Sequence, residues 1–211
     1  MQVRKWAGRK NRSREIAGGR FSLPALTRYN GGVPFRIRLF QRADFDTLWR
    51  IDQACFDPQL AYSRPEMAFY MRRPGAFTLV AEAGENGTPK IPAATASGGV
   101  KSPEAAPGRP PAIVGFIVAE LRRRTGHIIT IDVVAQARRS GVGSALLVAA
   151  ENRLRDSGAQ AVALETAVDN EAAIRFYKRK GYSVEKTVRG YYSNQLDALV
   201  MEKRLPVDGK P

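Results

Sequence analysis

The segment Arg138–Ser144 (RRSGVGS) constrains the fold of this chain more than any other stretch of its sequence. It follows an apolar run, and Val142, Leu146, Ala150 and Leu154 recur at the four-residue spacing of a helix face. The segment is therefore expected to be a turn that leaves a strand and enters a helix. Its glycines permit a close backbone approach, the helix start offers unpaired N–H groups, and the arginines attract anions. Together these features predict a cradle for a pyrophosphate group.

This turn does not identify its ligand by itself. No Gly-Lys-Ser or Gly-Lys-Thr follows the glycines, so the segment is not a Walker loop. It also lacks the third glycine of the dinucleotide-binding fingerprint. A pair of glycines in a strand-to-helix turn is weak evidence, so the ligand has to be inferred from the rest of the chain.

With 211 residues, of which 44% are hydrophobic, the chain can build one domain of roughly 150 residues with additional segments. Periodic apolar residues within 35–205 predict the element order β-α-α-β-β-β-α-β-α-β-β. We therefore expect a mixed α/β sheet with helices on both faces. Asp44 is expected to cap the first helix, and Ser63 the second, where Glu66 has the spacing of a capping box.

Two strands in the middle of the chain are expected to form a hairpin at Arg122–Gly126. Ala112–Leu121 predicts the first strand and Ile128–Val134 the second, and the arginine run between them suits a solvated turn. His127, the single histidine, lies beside this turn and is expected to be a surface residue rather than a catalytic one. Cys55 falls on the apolar face of the first helix, where packing in the core is the expected role.

Two segments are too polar, or too rich in proline and glycine, to join this sheet. Residues 1–34 carry eight basic residues and one acidic residue, half of the formal net charge of +14. They are expected to be a disordered basic arm, which is either a solvated tail or an electrostatic tether to RNA or the ribosome. Residues 84–111 contain six prolines and five glycines and predict a disordered insertion within one domain. Residues 206–211 are expected to be a short tail.

The composition excludes several classes of protein. One cysteine cannot form an internal disulfide, and one cysteine with one histidine cannot supply the ligands of a zinc site. The sequence has no apolar run of 18 residues, so no transmembrane helix is expected. The basic start is not followed by the apolar region of a signal peptide. A reducing, cytoplasmic setting without membrane contact is therefore expected.

Three motifs within residues 35–205 resemble one enzyme family. Val133–Leu147, which contains the glycine turn, resembles the acetyl-CoA-binding motif Arg/Gln-x-x-Gly-x-Gly/Ala of the GNAT acyltransferases. Leu164–Tyr182 looks like the second motif of that family, in which a strand, an asparagine and a helical tyrosine precede Gly-Tyr or Gly-Phe. Arg189–Ala198 is similar to a narrower subgroup that acetylates protein N-termini and includes the bacterial ribosomal-protein alanine acetyltransferases.

The resemblance implies a fold, a cosubstrate and a reaction. The acyl-CoA N-acyltransferase fold of the GNAT family has a central mixed, mostly antiparallel sheet flanked by about four helices. Its members transfer an acetyl group from acetyl-CoA to an amine without a metal, and the subgroup uses the α-amine of a protein N-terminus, such as that of a ribosomal protein. The residues that match the family's cofactor-binding positions are Val133, Val134, Arg138, Arg139, Ser140, Gly141, Val142, Gly143, Ser144, Asn170, Ala173 and Tyr177.

Glu165 and Tyr177 match the catalytic positions of the family. Glu165 would accept the proton of the amine, directly or through water, and Tyr177 would donate a proton or a hydrogen bond to the thiolate that leaves. Backbone N–H groups near Val133 would hold the thioester oxygen. Alternatively, Glu165 only pairs with an arginine and Tyr177 only packs in the core. Asn170 would either contact the pantetheine arm or only cap its helix.

The chemistry of the acceptor agrees with an N-terminal substrate. A protein α-amine has a pKa of about 8, whereas that of a lysine side chain is about 10.4. At pH 7 the lysine therefore needs about 3 kcal/mol more to reach the neutral form that attacks the thioester. An α-amine consequently needs only modest help from a base.

Three tyrosines match the walls of a substrate slot in the resembling subgroup. Tyr191 and Tyr192 lie between the last two strands, and Tyr62 precedes the second helix. They would admit an extended peptide end, or else pack as ordinary hairpin aromatics. Asp132 departs from the family, which often has a small or apolar residue there. It is either a substrate contact or proton acceptor, or a residue turned to solvent or paired with an arginine.

Two other functions stay open at the level of sequence. The same fold could act on a small amine or on lysine, although the positive net charge disfavours a cationic polyamine. The chain could also be a ribosome- or RNA-binding module whose core only senses CoA, as the basic arm suggests. The presence of both Glu165 and Tyr177 favours the enzyme.

Overall fold

The computed structural model describes residues 34–58, 60–84, 112–192 and 195–206. The basic arm, the insertion and the tail that the sequence predicts lie outside the described residues except at their boundaries. The elements follow the predicted order. The strands are β1 (Phe35–Leu39), β2 (Ala76–Ala83), β3 (Ile113–Arg122), β4 (Thr125–Val133), β5 (Ala161–Ala167), β6 (Ser183–Val188) and β7 (Ala198–Arg204), and the α-helices are α1 (Phe45–Cys55), α2 (Arg64–Met71), α3 (Val142–Asp156) and α4 (Glu171–Arg179).

The seven strands form one sheet in the order β1-β2-β3-β4-β5-β7-β6. The neighbours β4 and β5 are parallel, and the five other neighbouring pairs are antiparallel. A parallel pair needs a crossover connection, and α3 provides it between β4 and β5. The prediction of a mixed, mostly antiparallel sheet with four α-helices is confirmed.

The parallel pair β4–β5 separates partway along its length. Its register joins Thr125–His127 to Ala161–Ala163 and stops there. Beyond that point β4 continues to pair with β3 as far as Val133, and β5 continues to pair with β7 as far as Ala167. Each strand thus keeps its outer neighbour while the two inner edges diverge. We call this opening the β4–β5 gap; it is bounded by residues 128–133 and 164–167.

Strand β4 contains a bulge that decides which side chains face the same way. Val118 pairs with Thr130 and Ala119 pairs with Ile128, so Ile129 is an extra residue on β4. Because side chains alternate along a strand, His127 and Asp132 would lie on opposite faces of a regular strand. The extra residue reverses the alternation and puts both of them on one face.

The starts of the first two helices differ in how they are stabilised. Ser63 forms the predicted capping box, with its hydroxyl accepting from the Glu66 N–H at 3.4 Å and its own N–H donating to Glu66 Oε2 at 3.0 Å. Asp44 is the N-cap residue of α1, as predicted, but its side chain makes no capping hydrogen bond there. Its carboxylate accepts from the Arg38 guanidinium at 2.6 and 2.8 Å and from the Gln41 N–H at 2.7 Å, because a short 3₁₀ turn turns Asp44 back toward β1.

The core lies between the sheet and the helices and is continuous from β1 to β7. Helix α3 lies close enough to β4 that a Cβ added to Gly126 would meet Leu154 Cδ1 at 2.5 Å. The sequence at this point thus allows a close approach of helix and strand. In the ranges that the structure describes, no helix has both the length and the apolar character that crossing a membrane requires.

Candidate active site

The glycine turn forms the N-terminus of α3, as predicted. Gly141 is the N-cap residue with φ of +90°, and Arg139 also has a positive φ of 64°. The N–H groups of Val142, Gly143 and Ser144, in the first turn of α3, have no acceptor within the helix. The 15-residue helix places the positive end of its dipole at the same point. Backbone donors and the positive end of the dipole therefore coincide at this point, next in sequence to the exposed residues Arg138 and Arg139, and favour an anion.

Gly143 keeps this helix start open toward β4 and α4. A Cβ built there would lie 3.6 Å from Val133 Cγ2 and 4.0 Å from Phe176 Cζ. A larger side chain would therefore fill the space between the helix start and the edge of the gap. Ser140 does not point into this space, because its hydroxyl donates to the Ala137 carbonyl at 2.7 Å.

The end of β4 connects the glycine turn to α1. The Val133 carbonyl accepts from Arg138 Nε at 3.1 Å and lies 3.5 Å from Cys55 Sγ, and Arg138 Nη2 lies 3.8 Å from the same sulfur. Cys55 packs beside the core as expected, but it also touches the rim of the site. Burial and the charge of Asp132 raise the pKa of Cys55, so its thiol is neutral and can donate to the carbonyl.

Tyr177 presents a buried hydroxyl without a partner. Its ring packs edge-on against Phe176 and Tyr182, with centroids 5.2 and 5.5 Å away. Within the described residues, its hydroxyl has no hydrogen-bond partner. Burial and the charge of Asp132 raise the pKa of Tyr177, so the phenol is protonated. A buried donor that lacks an acceptor is costly unless a ligand supplies one.

The start of α4 is capped by a side chain of its own N-cap residue, Asn170. Asn170 Oδ1 accepts from the Ala173 N–H at 3.1 Å, which is the capping role that the sequence left open for this residue. Ala173 is fully buried and its N–H is occupied by that bond. In cofactor binding, Asn170 and Ala173 could therefore use only polar groups other than Asn170 Oδ1 and the Ala173 N–H.

Glu165 lies in an ion-paired network rather than beside an arginine. Its Oε2 is 2.7 Å from His127 Nε2, and His127 Nδ1 is 3.5 Å from Glu120 Oε1. The expectation that His127 is a surface residue is wrong, since its side chain is 13% exposed and lies between two buried carboxylates. Burial alone would lower the pKa of His127, but the hydrogen bonds to Glu120 and Glu165 outweigh it and raise the pKa to about 9.

Two arginines close the other end of this network. Arg73 Nε lies 3.2 Å from Glu120, and Arg122 pairs with the same carboxylate. Burial would raise the pKa of Glu120, yet the hydrogen bond from His127 and the two arginine charges lower it. Arg122 is thus part of the interior network, whereas Arg123 and Arg124 are exposed in the turn, as predicted for the arginine run.

Tyrosines surround the substrate side of the gap. Tyr62 packs against Tyr70, with ring centroids 5.2 Å apart, and Tyr191 packs against Tyr192 at 5.1 Å. Burial, Glu165 and the neighbouring phenols raise the pKa of Tyr191, which places its hydroxyl in the electrostatic field of the predicted base. Among the described residues, the Tyr191 hydroxyl has no hydrogen-bond partner.

The two walls of this slot are held in different ways. The Tyr62 N–H donates to Asp52 Oδ2 at 2.7 Å and its carbonyl accepts from Trp49 Nε1 at 3.0 Å, so α1 fixes that wall. Tyr192 is 2% exposed and belongs to a small second apolar cluster, which agrees with the alternative of hairpin packing for this tyrosine. The other buried members of that cluster are Phe56, Leu60, Ala167 and Ala198.

Asp132 is buried at the gap. Only 1% of its surface is exposed, so the alternative that it turns to solvent is wrong. The Thr130 hydroxyl lies 3.3 and 3.4 Å from its two carboxylate oxygens. Its charge acts on both Cys55 and Tyr177, which places it between the end of α1 and the buried phenol of α4.

Sequence reasoning missed Glu120, His127 and Tyr70 as members of the site. The hairpin between β3 and β4 could have revealed Glu120 and His127, because its register pairs Arg122 with Thr125 and therefore Glu120 with His127. Counting two residues back from the turn on each strand would have placed the histidine opposite the carboxylate. In the described part of the chain, no group of three or more His, Cys, Asp or Glu side chains is arranged to hold a metal ion.

The assembled site can hold an elongated ligand with an anionic end. The anion would lie at the start of α3, and the remainder would follow the inner edge of β4 into the gap. Tyr177, whose buried hydroxyl has no hydrogen-bond partner among the described residues, would face the inner part of this ligand, near the charge of Asp132. Such an arrangement suits transfer of a group from a phosphate-bearing carrier to a second substrate.

Comparison with known proteins identifies the family of this chain. The model of the acetyltransferase (GNAT) family matches residues 45–182 of this chain. An N-alpha-acetyltransferase of Sulfurisphaera tokodaii is 39% identical over 79 residues, which cover 37% of this chain and 47% of that protein. N-alpha-acetyltransferase 30 of Schizosaccharomyces pombe is 40% identical over 73 residues, which cover 35% and 49%. The chain thus spans about half the length of these curated relatives.

Solved structures agree with the sequence relatives. Ard1 from Thermoplasma volcanium superposes with a TM-score of 0.64 at 26% identity, covering 82% of this chain and 98% of that one. The ribosomal-protein-S18-alanine N-acetyltransferase of Escherichia coli superposes with a TM-score of 0.63 at 18% identity, covering 83% and 97%. The second likeness is one of fold alone.

Proposed function

This chain belongs to the GNAT acetyltransferase family, and we propose from that premise that it transfers the acetyl group of acetyl-CoA to the α-amine of a protein N-terminus. The relatives named N-alpha-acetyltransferase support the α-amine as acceptor. The observation that carries the proposal is the buried hydroxyl of Tyr177, which has no hydrogen-bond partner among the described residues and lies on the helix that follows β5, one border of the β4–β5 gap.

The residues at the glycine turn fit the phosphate end of acetyl-CoA. The first-turn N–H groups of α3 would bind the pyrophosphate, and the exposed guanidinium groups of Arg138 and Arg139 would add charge-assisted hydrogen bonds. Gly143 leaves the room that the chain of the cofactor requires beside Val133. Val133 and Val134 lie at the edge of the gap, where their backbone would run beside the pantetheine arm. Bound acetyl-CoA supplies the activated acetyl thioester and leaves as CoA.

Tyr177 would donate a hydrogen bond at the inner end of the gap. A thiol has a pKa of about 8.5, whereas burial holds the phenol of Tyr177 well above 10. Complete proton transfer from this phenol to a thiolate is therefore uphill, and stabilisation by a hydrogen bond is the larger contribution. The absence of an internal partner for its hydroxyl in the described residues leaves the donor ready for this role.

Glu165 would take the proton from the amine, directly or through water. His127 cannot accept it near neutral pH, because its pKa of about 9 keeps it protonated. The 2.7 Å contact instead holds the Glu165 carboxylate in place. Tyr191, in the field of Glu165, would form the slot for the first residues of the peptide together with Tyr62 and Tyr192.

Location and partners are part of the same proposal. The single cysteine agrees with a cytoplasmic enzyme, since an internal disulfide is impossible. The basic residues of the segment 1–34 would attract RNA or the ribosome, where nascent N-termini emerge.

The decisive experiment is acetyl transfer from acetyl-CoA to a panel of peptides. The panel varies the first two residues and includes matched peptides with a blocked N-terminus and an internal lysine. We expect acetylation only of peptides with a free α-amine. Modification of the blocked peptides would assign a lysine enzyme, and acetyl-CoA binding without turnover of any peptide would favour a small-amine enzyme or a CoA-sensing module.

A further inference from the structure

The arginines in the turn between β3 and β4 have no part in the proposed reaction. Arg123 and Arg124 form this two-residue turn, because the register pairs Arg122 with Thr125. Arg123 has a positive φ of 56°, a conformation that glycine and asparagine adopt at lower cost. Turns of this length favour those residues for the same reason. An exposed arginine in this conformation therefore indicates a use for its side chain.

Two hydrogen bonds bring a further arginine to the same edge of the sheet. The Arg124 carbonyl accepts from the Gln160 N–H at 2.7 Å, and the Gln160 carbonyl accepts from the Leu205 N–H at 2.8 Å. Arg204 precedes Leu205 at the end of β7. Arg124 and Arg204 thus lie on either side of Gln160.

The turn before β2 extends this edge in the other direction. The Leu121 N–H donates to the Gly75 carbonyl at 2.9 Å, and Arg72, the C-cap residue of α2, lies three residues before Gly75. The ends of β2, β3, β4, β5 and β7 therefore carry Arg72, Arg123, Arg124 and Arg204, which we call the arginine row. Four spacings of about 4.8 Å between neighbouring strands give the row a length of roughly 19 Å.

The described part of the chain does not neutralise the arginine row. All four residues are exposed, and within the described ranges none of them forms an ion pair. Two carboxylates of this edge are engaged elsewhere, since Glu120 faces Arg73 and Arg122, and Asp156 lies 3.4 Å from Arg155. The row is therefore a positive surface that is open to an anionic partner.

An exposed aromatic ring lies at one end of the arginine row. Phe69 is 63% exposed, more than any other large apolar side chain of the described residues. It lies one helical turn before Arg72, whose N–H donates to the Phe69 carbonyl at 3.3 Å. The guanidinium carbon of Arg73 is 5.8 Å from the centre of the Phe69 ring. Exposed rings beside cations bind single-stranded nucleic acid, because the ring stacks on a base while the cations contact phosphates.

This combination favours RNA over other anionic partners. Arginine supplies every charge of the row, and its planar guanidinium group matches the oxygen atoms of a phosphate. An acidic peptide would use the charges but leave the exposed ring without a stacking partner. A membrane surface is bound by an amphipathic helix with a broad apolar face, whereas Phe69 is a single exposed ring beside arginines.

We propose that the arginine row and Phe69 form a binding site for single-stranded RNA in the folded domain, separate from the segment 1–34. The phosphates would lie along the row, and a base would stack on Phe69. This site lies at the end of the sheet where β4 and β5 begin, whereas the β4–β5 gap opens toward the end where they stop. The protein can therefore hold RNA and acetyl-CoA at the same time, and the RNA site does not depend on acetyl transfer.

The test measures how salt affects the binding of a short, single-stranded oligouridine to the full-length chain, by fluorescence anisotropy. Arg124→Gln combined with Arg204→Gln removes two charges from the row. Each phosphate contact of a single strand contributes about 0.7 to the slope of log affinity against log salt concentration. We expect the double variant to lower this slope by about 1.4, and the affinity by roughly ten-fold or more at about 0.1 M salt.

A matched variant controls for net charge. Arg50→Gln combined with Lys186→Gln removes two exposed charges from α1 and β6, and it should leave slope and affinity close to those of the wild type. The melting temperature of each double variant reports on folding, and peptide acetylation by Arg124→Gln/Arg204→Gln should be unchanged.

Two single variants test the ring and the turn. Phe69→Ala should reduce the affinity roughly five-fold or more without changing the slope, because stacking on a base releases no counterions. Arg123→Asn should raise the melting temperature while it lowers RNA affinity, because asparagine tolerates the positive φ and carries no charge. A purely structural role for Arg123 would not produce these opposite changes.

The outcomes separate this inference from its alternatives. Equal losses in the two double variants would mean that only net charge matters, and full RNA affinity in Arg124→Gln/Arg204→Gln would leave the segment 1–34 as the contact. Either result would overturn the inference. So would oligoglutamate or phosphatidylserine vesicles that bind as tightly as the RNA and depend equally on the row. Absence of peptide acetylation would refute the proposed function and leave the RNA site unaffected.

Discussion

The two halves of β4 contrast in how the strand is paired and in which groups surround it. Near Thr125–His127 the strand is paired on both sides, and its charged residues form a closed network with Glu120 and Glu165. In residues 128–133 the strand has lost its partner on β5, and Asp132 lies near a phenol whose hydroxyl has no partner among the described residues. The same strand thus stabilises the fold at one end and leaves groups for ligands at the other.

This contrast indicates that the two halves of β4 have different roles in the site. The closed half can hold a carboxylate rigidly because backbone pairing and ion pairs act together there. Unsatisfied polar groups in the open half lower the stability of the fold, which is expected where binding or chemistry takes place. Variants in the two halves should therefore differ in kind, with activity lost in the open half and stability lost in the closed half, where Glu165, the proposed base, is the exception.

The largest effect is expected in the open half, for Tyr177→Phe. Removal of the hydroxyl keeps the ring packing but deletes the donor, so turnover should fall by roughly 100-fold, as for the loss of an oriented hydrogen bond to the reacting atoms. Acetyl-CoA affinity and melting temperature should change little. Steady-state kinetics and acetyl-CoA titration make this comparison, and unchanged turnover would remove Tyr177 from the proposed mechanism.

An effect of similar size, but on stability, is expected in the closed half. The pKa of His127 is about 9 in the folded chain, above its ordinary value of 6.5. Its contribution, about 3 kcal/mol, is therefore fully present below pH 6.5 and is lost as the pH rises through 9. Urea unfolding at pH 6 and pH 10 measures this difference.

Variants of the network locate the source of that pH dependence. His127→Gln should flatten the stability profile between pH 6.5 and 9, and Glu120→Gln should move the loss of stability to lower pH by removing one of the two acceptors. Arg175→Gln, which alters an exposed ion pair on α4, is a matched control. An unchanged profile in His127→Gln would assign the dependence to other groups.

A smaller loss, of cofactor affinity, is expected at the start of α3. Gly141 has φ of +90°, a conformation that costs a β-branched residue roughly 1–2 kcal/mol. Gly141→Val should therefore weaken acetyl-CoA binding by roughly ten-fold or more, through both strain and loss of close backbone approach. Gly158→Ala, also at a positive φ but at the far end of α3, is the control for strain without a ligand. Equal acetyl-CoA affinity in wild type and Gly141→Val would argue against the cradle.

The smallest effect on the site is expected from removing residues 1–34. Both halves of β4 lie outside this segment, so peptide acetylation should keep its rate. Affinity for RNA should fall, because the segment contributes half of the net positive charge. Filter binding at several salt concentrations measures the second effect. Loss of acetylation together with RNA affinity would mean that the arm also acts on the catalytic domain.

The fold was largely predictable, because periodicity and caps act locally. The order of strands and helices is confirmed, and so is the capping box at Ser63, whose partners are three residues apart. The Asp44 side chain makes no capping hydrogen bond, because a residue on another element, Arg38 on β1, competes for its carboxylate. A local pattern cannot reveal that competition.

The site was less predictable, because its network depends on pairing across strands. Glu165 and Tyr177 were proposed from family motifs, which concern positions along the chain. His127 was misjudged because its two carboxylate partners lie on β3 and β5. The direction of Asp132 depends on the bulge at Ile129, which alternation in the sequence does not show.

That bulge also affects how this chain should be aligned with its relatives. Because the extra residue reverses the alternation, a relative with a regular β4 that is aligned without a gap from His127 onward has its counterpart of Asp132 on the opposite face of the strand. Variation at this position should therefore be interpreted only among sequences in which the length of β4 is preserved.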